Sequence, residues 1–157
     1  GMFLYDTVVD TIVCLEGTQV IGSFLAQELT GAGVLSMNAH KTIYIVTPEY
    51  NSNSQMVFKE NILPMIRGKN VILLTASVTT GLALNKGIES VLYYGGVLRG
   101  ITAIFSALDE INGHKITSIF NKRDVPEYAF YDYRDCPFCK QGRKLEALVN
   151  SYGYTSL

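Results

Sequence analysis

Four consecutive apolar residues, Val71-Ile72-Leu73-Leu74, lead within a few positions to Thr79-Thr80-Gly81. Apolar residues then recur at helical spacing, at Leu84, Ile88, Val91 and Leu92, before Gly95-Gly96. A strand that is apolar on both faces must be covered on both, and a turn that passes straight into an amphipathic helix supplies one cover. The same order occurs earlier in the chain. Thr11-Ile12-Val13-Cys14-Leu15 is short and rich in β-branched residues, and Glu16-Gly17-Thr18 turns the chain. Ile21, Phe24, Leu25 and Leu29 then follow helical spacing, with Thr18 as N-cap and Gly31 and Gly33 as the stop. Ile101-Thr102-Ala103-Ile104-Phe105 restarts a strand after the second unit. Such repetition predicts an α/β fold with a mostly parallel central sheet and helices on both faces. Strands are expected near 11–15, 71–75 and 101–106, and helices near 19–30 and 80–94.

The remaining segments are read more coarsely. Thr42 to Val46 is strand-like, Pro48 to Gln55 is polar and turn-rich, and Met56-Val57-Phe58 is a returning strand. The Pro48–Gln55 excursion is expected to be long and mobile, and Pro64 limits any helix near it. Ile116 to Phe120 is a strand, Tyr128 to Tyr133 an aromatic-rich edge, and Lys140 to Asn150 a last helix. With 157 residues, 48% of them hydrophobic, the chain can bury one sizeable core, so residues 1–157 are expected to form a single domain. The formal net charge is -1 and the Lys and Arg residues are scattered, which gives no electrostatic footprint for nucleic acid. An odd three cysteines make no disulfide framework, and no apolar run approaches the roughly 20 residues of a membrane span. A cytoplasmic location is expected. Met2 is followed by Phe-Leu-Tyr-Asp rather than a basic region, so no signal peptide is expected, and Gly1 reads as a residue left by expression.

Chemistry concentrates in the turn from strand to helix around Thr79. Backbone N–H groups at a helix start converge on an anion, the helix dipole favours negative charge, and threonine hydroxyls add donors. Ser77, Val78, Thr79, Thr80 and Gly81 are the candidate phosphate-binding residues, with Gly81 allowing close approach. The same pattern also arises when Thr79 or Thr80 simply caps a helix.

The run from Val71 to Gly81 resembles the phosphoribosyl pyrophosphate motif of type I phosphoribosyltransferases: four apolar residues, two acidic residues, two variable ones, then Thr-Thr-Gly. Asp10 to Leu29 resembles that family's first strand, pyrophosphate loop and helix. Cys136-Pro137-Phe138-Cys139-Lys140-Gln141-Gly142 resembles the Cys-Pro-x-Cys tail of many orotate phosphoribosyltransferases. The resemblance covers roughly residues 10–142. It implies that Glu16, Gly17, Thr18 and Gln19 form a pyrophosphate loop. It also implies that Thr75 and Ala76 occupy the ribose position, where the family has two carboxylates. It further implies a phosphorylated ribose or nucleotide as ligand, a homodimer, and magnesium if the protein is active. No catalytic residue and no protein-held metal site is assigned.

Several family features are replaced. Thr75 and Ala76 carry no charge, Leu82 and Ala83 stand where Gly-Thr usually follows, and the stretch from Thr47 to Met56 contains no Lys, Arg, His or Asp. The family's mobile loop carries such groups; here Lys59 and Arg67 lie beyond it. The first core strand begins almost at once, so the family's hood is expected to be reduced or absent. The expectations are therefore weak binding of phosphoribosyl pyrophosphate and slow or absent turnover, with a non-catalytic nucleotide-binding or regulatory module as the alternative.

Other candidates have plainer readings. Cys136 and Cys139 are read as a structural turn ahead of zinc or redox chemistry, because a zinc centre needs about four ligands and only 18 residues follow Cys139, too few for a thioredoxin-like domain. Cys14 is a buried strand residue, and His40 and His114 are polar loop residues. Tyr128, Tyr131 and Tyr133 serve core packing, with a subunit contact as the alternative.

Overall fold

A computed structural model describes residues 6–31, 37–39, 41–132, 134–150 and 153–157. Gly33, His40 and Tyr133 lie outside these residues. In chain order the elements are β1 (Thr11–Cys14), α1 (Gln19–Gly31), β2 (Tyr44–Val46), β3 (Glu49–Tyr50), β4 (Met56–Val57), a 3-10 turn (Leu63–Met65) and β5 (Asn70–Val78). They continue with α2 (Leu82–Tyr93), β6 (Val97–Ser106), β7 (Glu110–Ile111), β8 (His114–Asn121), α3 (Pro137–Lys140), β9 (Ala147–Asn150) and β10 (Gly153–Ser156).

The main sheet has six strands in the order β2-β1-β5-β6-β8-β7. Every pairing in it is parallel except β7 with β8. Alternation along the two central strands explains why both faces are covered. Val13 on β1 and Val71 and Leu73 on β5 join one buried cluster with Leu84, Ile88 and Val91 of α2. Ile12, Cys14, Ile72 and Leu74 join a second cluster with Leu29 and, at its margin, Leu25 and Ala26 of α1. The two helices thus cover opposite faces, as the apolar runs predict. The cover is thinner toward β8, where Ile119 is 71% exposed.

At the N-terminal end of the sheet, Asp10 ties the two central strands together. Its Oδ2 accepts the backbone N–H of Asn70 at 2.8 Å and Asn70 Nδ2 at 2.7 Å. Burial alone would raise the Asp10 carboxyl, but these two bonds, with Lys41 and Lys69 nearby, hold it below the usual carboxylate range.

Three elements depart from the expectations. The excursion after β2 is an ordered hairpin of β3 and β4: Asn51 Oδ1 accepts the N–H groups of Asn53 and Gln55, and Ser54 takes a left-handed φ of 57° to close the turn. Residues 140–150 do not form a helix. The helix there is α3, one turn long, followed by Gly142 at φ 69°; Ala147–Asn150 then pairs antiparallel with Gly153–Ser156 as a separate two-stranded sheet. Val149 pairs locally with Tyr154, and Leu145, Leu148 and Val149 stay exposed, so the helical spacing here has no packed face to sustain a helix. His114 is not in a loop. It opens β8 and pairs with Ile111.

Candidate functional site

In a sheet of this kind the point of interest is where consecutive connections leave in opposite directions. From β1 the chain crosses through α1 to β2 on one side, while β5 lies on the other. The crevice at the carboxyl ends of β1 and β5 is therefore the topological switch point, the place where open α/β sheets take ligands. The loop from Leu15 to Thr18 leaves β1 there, and the turn from Thr79 to Gly81 leaves β5 there.

These two connections are not level. Pairing of β1 with β5 ends at Cys14 opposite Leu74, whereas β5 continues to Val78 beside β6. At about 3.3 Å per residue the four further residues carry the turn roughly 13 Å beyond the first loop. Ser77 and Val78 therefore belong to the strand, paired with Phe105 and Ser106, rather than to the turn. The N-cap of α2 is Gly81, with φ 80° and no side-chain cap, so neither Thr79 nor Thr80 caps the helix. Among the described residues nothing accepts a hydrogen bond from the N–H groups or hydroxyls of Thr79 and Thr80. Those donors are available to an anion. The role of Gly81 differs from the expectation: a Cβ there would lie 2.5 Å from Ile111 Cδ1, so its missing side chain faces β7 and not the crevice.

The first loop is held from below. Leu15 N–H donates to Leu74 O at 2.8 Å, and the buried Thr18 hydroxyl donates to Leu15 O at 2.7 Å and reaches Leu74 O at 3.2 Å. Thr18 thus spends its side chain on the strand ends instead of capping α1, while its carbonyl accepts the first helical N–H, from Gly22. Glu16 and Gly17 are consecutive left-handed residues, at φ 53° and 77°, and both are exposed. Gln19 is the first residue of α1.

One hydrogen bond joins the two halves of the site. Thr75 Oγ1 donates to Glu16 Oε2 at 3.0 Å, with Thr75 itself buried. Thr75, itself uncharged, therefore meets a carboxylate from the neighbouring loop. Ala76 adds no polar group. The β3–β4 hairpin contributes Tyr50, whose hydroxyl is pushed above its ordinary range first by burial and then by the Glu16 charge. Tyr50 remains a proton donor near neutral pH. The hairpin is fastened by Lys86 of α2, whose Nζ donates to Ser54 O at 3.0 Å, and by an ion pair of 2.6 Å between Lys59 and Glu49. Arg67 lies at the opposite end of the sheet, where Gly68 N–H meets Gly95 O.

Sequence reasoning missed Tyr50 and Lys86, because screening the excursion for Lys, Arg, His and Asp passed over a tyrosine and could not see a cation arriving from a helix. It also missed a cavity of about 270 Å³ farther along the same edge, at the ends of β6 and β8, lined by Ser106, Ala107, Asp109, Asn121, Lys122 and Arg123. A larger space, about 550 Å³, lies behind the hairpin against α2, between Met56, Lys86, Ser90 and Tyr94. It lies between the hairpin and the helix flank, whereas the smaller cavity opens directly at the carboxyl ends of β6 and β8. Tyr128 packs edge-on against Phe105 at 4.9 Å, and Tyr131 against Phe138 at 5.7 Å. Among the described residues no three His, Cys, Asp or Glu side chains gather to hold a metal, and no helix is long and apolar enough to cross a membrane.

No protein-family model and no curated protein matches this chain. Solved structures do. The chain is similar to the hypoxanthine phosphoribosyltransferase of Trypanosoma cruzi, with a TM-score of 0.53 and 14% identity, over 74% of this chain and 63% of that one. It is similar to the adenine phosphoribosyltransferase of Thermoanaerobacter pseudethanolicus, with a TM-score of 0.50 and 18% identity, over 75% and 73% of the two chains. The adenine phosphoribosyltransferase of Leishmania donovani gives 0.51 and 14%, over 87% and 69%. The chain spans less than two thirds of the Trypanosoma enzyme, and at these identities the likeness is one of fold: a type I phosphoribosyltransferase fold.

Proposed function

We propose that this chain, built on the phosphoribosyltransferase fold, binds a phosphorylated ribose or nucleotide across the step between β1 and β5 and transfers the ribosyl group slowly or not at all. The observation that carries the reading is the Thr75–Glu16 hydrogen bond, which puts one carboxylate between the two candidate loops. In this reading the 5-phosphate takes the free donors of Thr79, Thr80 and Gly81. Glu16 accepts from the ribose hydroxyls, and the base extends along the sheet edge toward Lys122 and Arg123. Adjacent strands are about 4.8 Å apart, so β6 and β8 lie within nucleotide reach of the turn.

The reading of weak chemistry follows from charge. Stabilising a developing positive charge and a leaving pyrophosphate depends on placed charges, and this site offers one exposed carboxylate and a protonated tyrosine. Magnesium enters with the ligand's phosphates, because among the described residues no three His, Cys, Asp or Glu side chains gather to cage it. A non-catalytic nucleotide-binding or regulatory module is the second reading, favoured by the commitment of the Thr75 hydroxyl to Glu16. A homodimer is part of the proposal, supported by the exposed Val20 and Phe24 on α1.

Titration calorimetry with phosphoribosyl pyrophosphate and with nucleoside 5′-monophosphates tests binding. A pyrophosphate-release assay with orotate, hypoxanthine, adenine or uracil tests transfer. Glu16→Gln and Thr80→Val are each expected to weaken binding about tenfold or more, the size of one charge-assisted hydrogen bond. Unchanged affinity in both variants would remove the site assignment, and rapid turnover by the natural protein would remove the reading of weak catalysis.

A further inference from the structure

The motif Cys136-Pro137-Phe138-Cys139 takes no part in the site described above, yet its geometry has a chemistry of its own. Cys136 is the residue before α3, and Lys140 N–H donates to Cys136 O at 3.1 Å, so both cysteines lie on one closed turn. Both thiols are free; Cys136 is half-buried and Cys139 is exposed. Cys139 stands three positions after Cys136 on that turn, the spacing at which neighbouring side chains meet. The turn is anchored from outside through Phe138. Its ring meets Tyr131 edge-on at 5.7 Å, the Arg143 guanidinium lies 5.4 Å from its centroid, and Arg143 N–H donates to Phe138 O at 3.0 Å. Pro137 restricts the backbone between the cysteines further. Two thiols three positions apart on one closed, anchored turn need only side-chain rotation to reach the roughly 2.05 Å of a disulfide.

The two sulfurs are not equivalent. The backbone N–H of Cys139, then its thiol, the N–H of Phe138 and the Lys140 charge hold the Cys136 thiol below its usual range, outweighing some burial. The Cys139 thiol is raised, first by its bond to Cys136 and then by the Cys136 charge. Cys14 contrasts with both: it is fully buried and pushed up to about 11 by that burial, so its thiol is inert near neutral pH. A zinc site is the less suitable reading, because among the described residues no further His, Cys, Asp or Glu completes a group of three around these thiols.

We propose that Cys136 and Cys139 form a dithiol that exchanges with small-molecule disulfides, with Cys136 attacking and Cys139 resolving. In the first step the Cys136 thiolate bonds to one sulfur of the disulfide, the small molecule's S–S bond breaks, and one thiolate leaves and takes a proton. In the second step Cys139, deprotonated to solvent, attacks the Cys136 sulfur; the Cys136–Cys139 bond forms and the second small thiolate leaves and is protonated. One small disulfide is reduced to two thiols, and the two protein thiols are oxidised to one disulfide.

The test uses the full chain, reduced and then exposed to oxidised glutathione, quenched by alkylation and read by peptide mass spectrometry. The expected product is a Cys136–Cys139 disulfide with Cys14 left as a thiol. Cys139→Ser should retain one glutathione on Cys136, and Cys136→Ser should capture glutathione on Cys139 about tenfold more slowly at neutral pH. Both variants lie at the surface, and circular dichroism checks that each is folded. The proposal is overturned if the two variants capture glutathione at equal rates. It is overturned equally if a peptide of residues 134–143 closes as fast as the folded protein, or if the oxidised product is an intermolecular dimer.

Discussion

At the residue scale, the site rests on one strained position. Glu16 holds φ 53°, a left-handed conformation that costs a non-glycine residue about 1 kcal/mol, so that its carboxylate can meet Thr75. Glu16→Ala and Glu16→Gly both delete that carboxylate, and only the second relieves the backbone. The glycine variant should therefore be the more stable of the two by about 1 kcal/mol in urea unfolding, with equal losses in nucleotide affinity; equal stabilities would mean that the loop is unstrained. Cys14 carries a second residue-level prediction. Its thiol is fully buried, and a Cβ on Gly22 would come within 2.5 Å of its Sγ. The folded pKa of about 11 lies above the ordinary 9.0, so the folded state holds this proton more tightly than the unfolded chain does. That contribution is complete below pH 9 and is lost as pH rises toward 11. Over that window the unfolding free energy of the natural protein should fall more steeply than that of Cys14→Ala, by about 2 kcal/mol in all. Parallel pH profiles would mean that the thiol is not desolvated.

At the element scale, the β3–β4 hairpin is the piece whose position matters most, because it holds Tyr50 where the Glu16 charge is felt while Lys86 pins its turn through Ser54 O. Lys86→Met should raise amide hydrogen exchange over residues 51–57 and leave global stability within about 0.5 kcal/mol, since an exposed contact to one carbonyl orders a loop more than it supports a core. Exchange confined to its natural rate would show that Asn51 and the Glu49–Lys59 pair suffice. This hairpin also marks the limit of what the sequence makes legible. β1, α1, β5 and α2 can be read directly, because Ile12, Val13, Ile72 and Leu73 are apolar on both faces and the helices carry one apolar stripe each. The hairpin depends on Asn51 folding its side chain over its own turn. The Glu16–Thr75 bond spans 59 positions and follows only from the sheet order. The tail deceives for a further reason: Leu145, Leu148 and Val149 have helical spacing, but Leu145 and Val149 are 70% and 80% exposed, so the spacing marks no buried stripe.

At the scale of the whole molecule, the C-terminal β9–β10 sheet pairs only with itself, and its strand residues with described side chains are mostly exposed. A chain ending at Lys144 should therefore keep its urea midpoint, with a change in stability of about 1 kcal/mol or less; a larger loss would place the tail in the core's cooperative unit. The six-stranded sheet behaves oppositely. Its central pairing sets Thr11 against Val71, and each of its parallel neighbours is reached by a crossover. No stretch of the chain can zip the middle of the sheet from a local turn. Loop-closure entropy must be met before β1 and β5 reward it, so the nucleus has to gather both ends of that long excursion at once. A ribosome-bound chain that has released only residues up to β4 holds β1 with one of its two flanking strands missing, and its apolar Ile12 and Val13 wait for β5 to emerge. The same strand order that creates the crevice thus makes the protein a late and all-at-once folder, exposed to aggregation for as long as β5 remains in the tunnel.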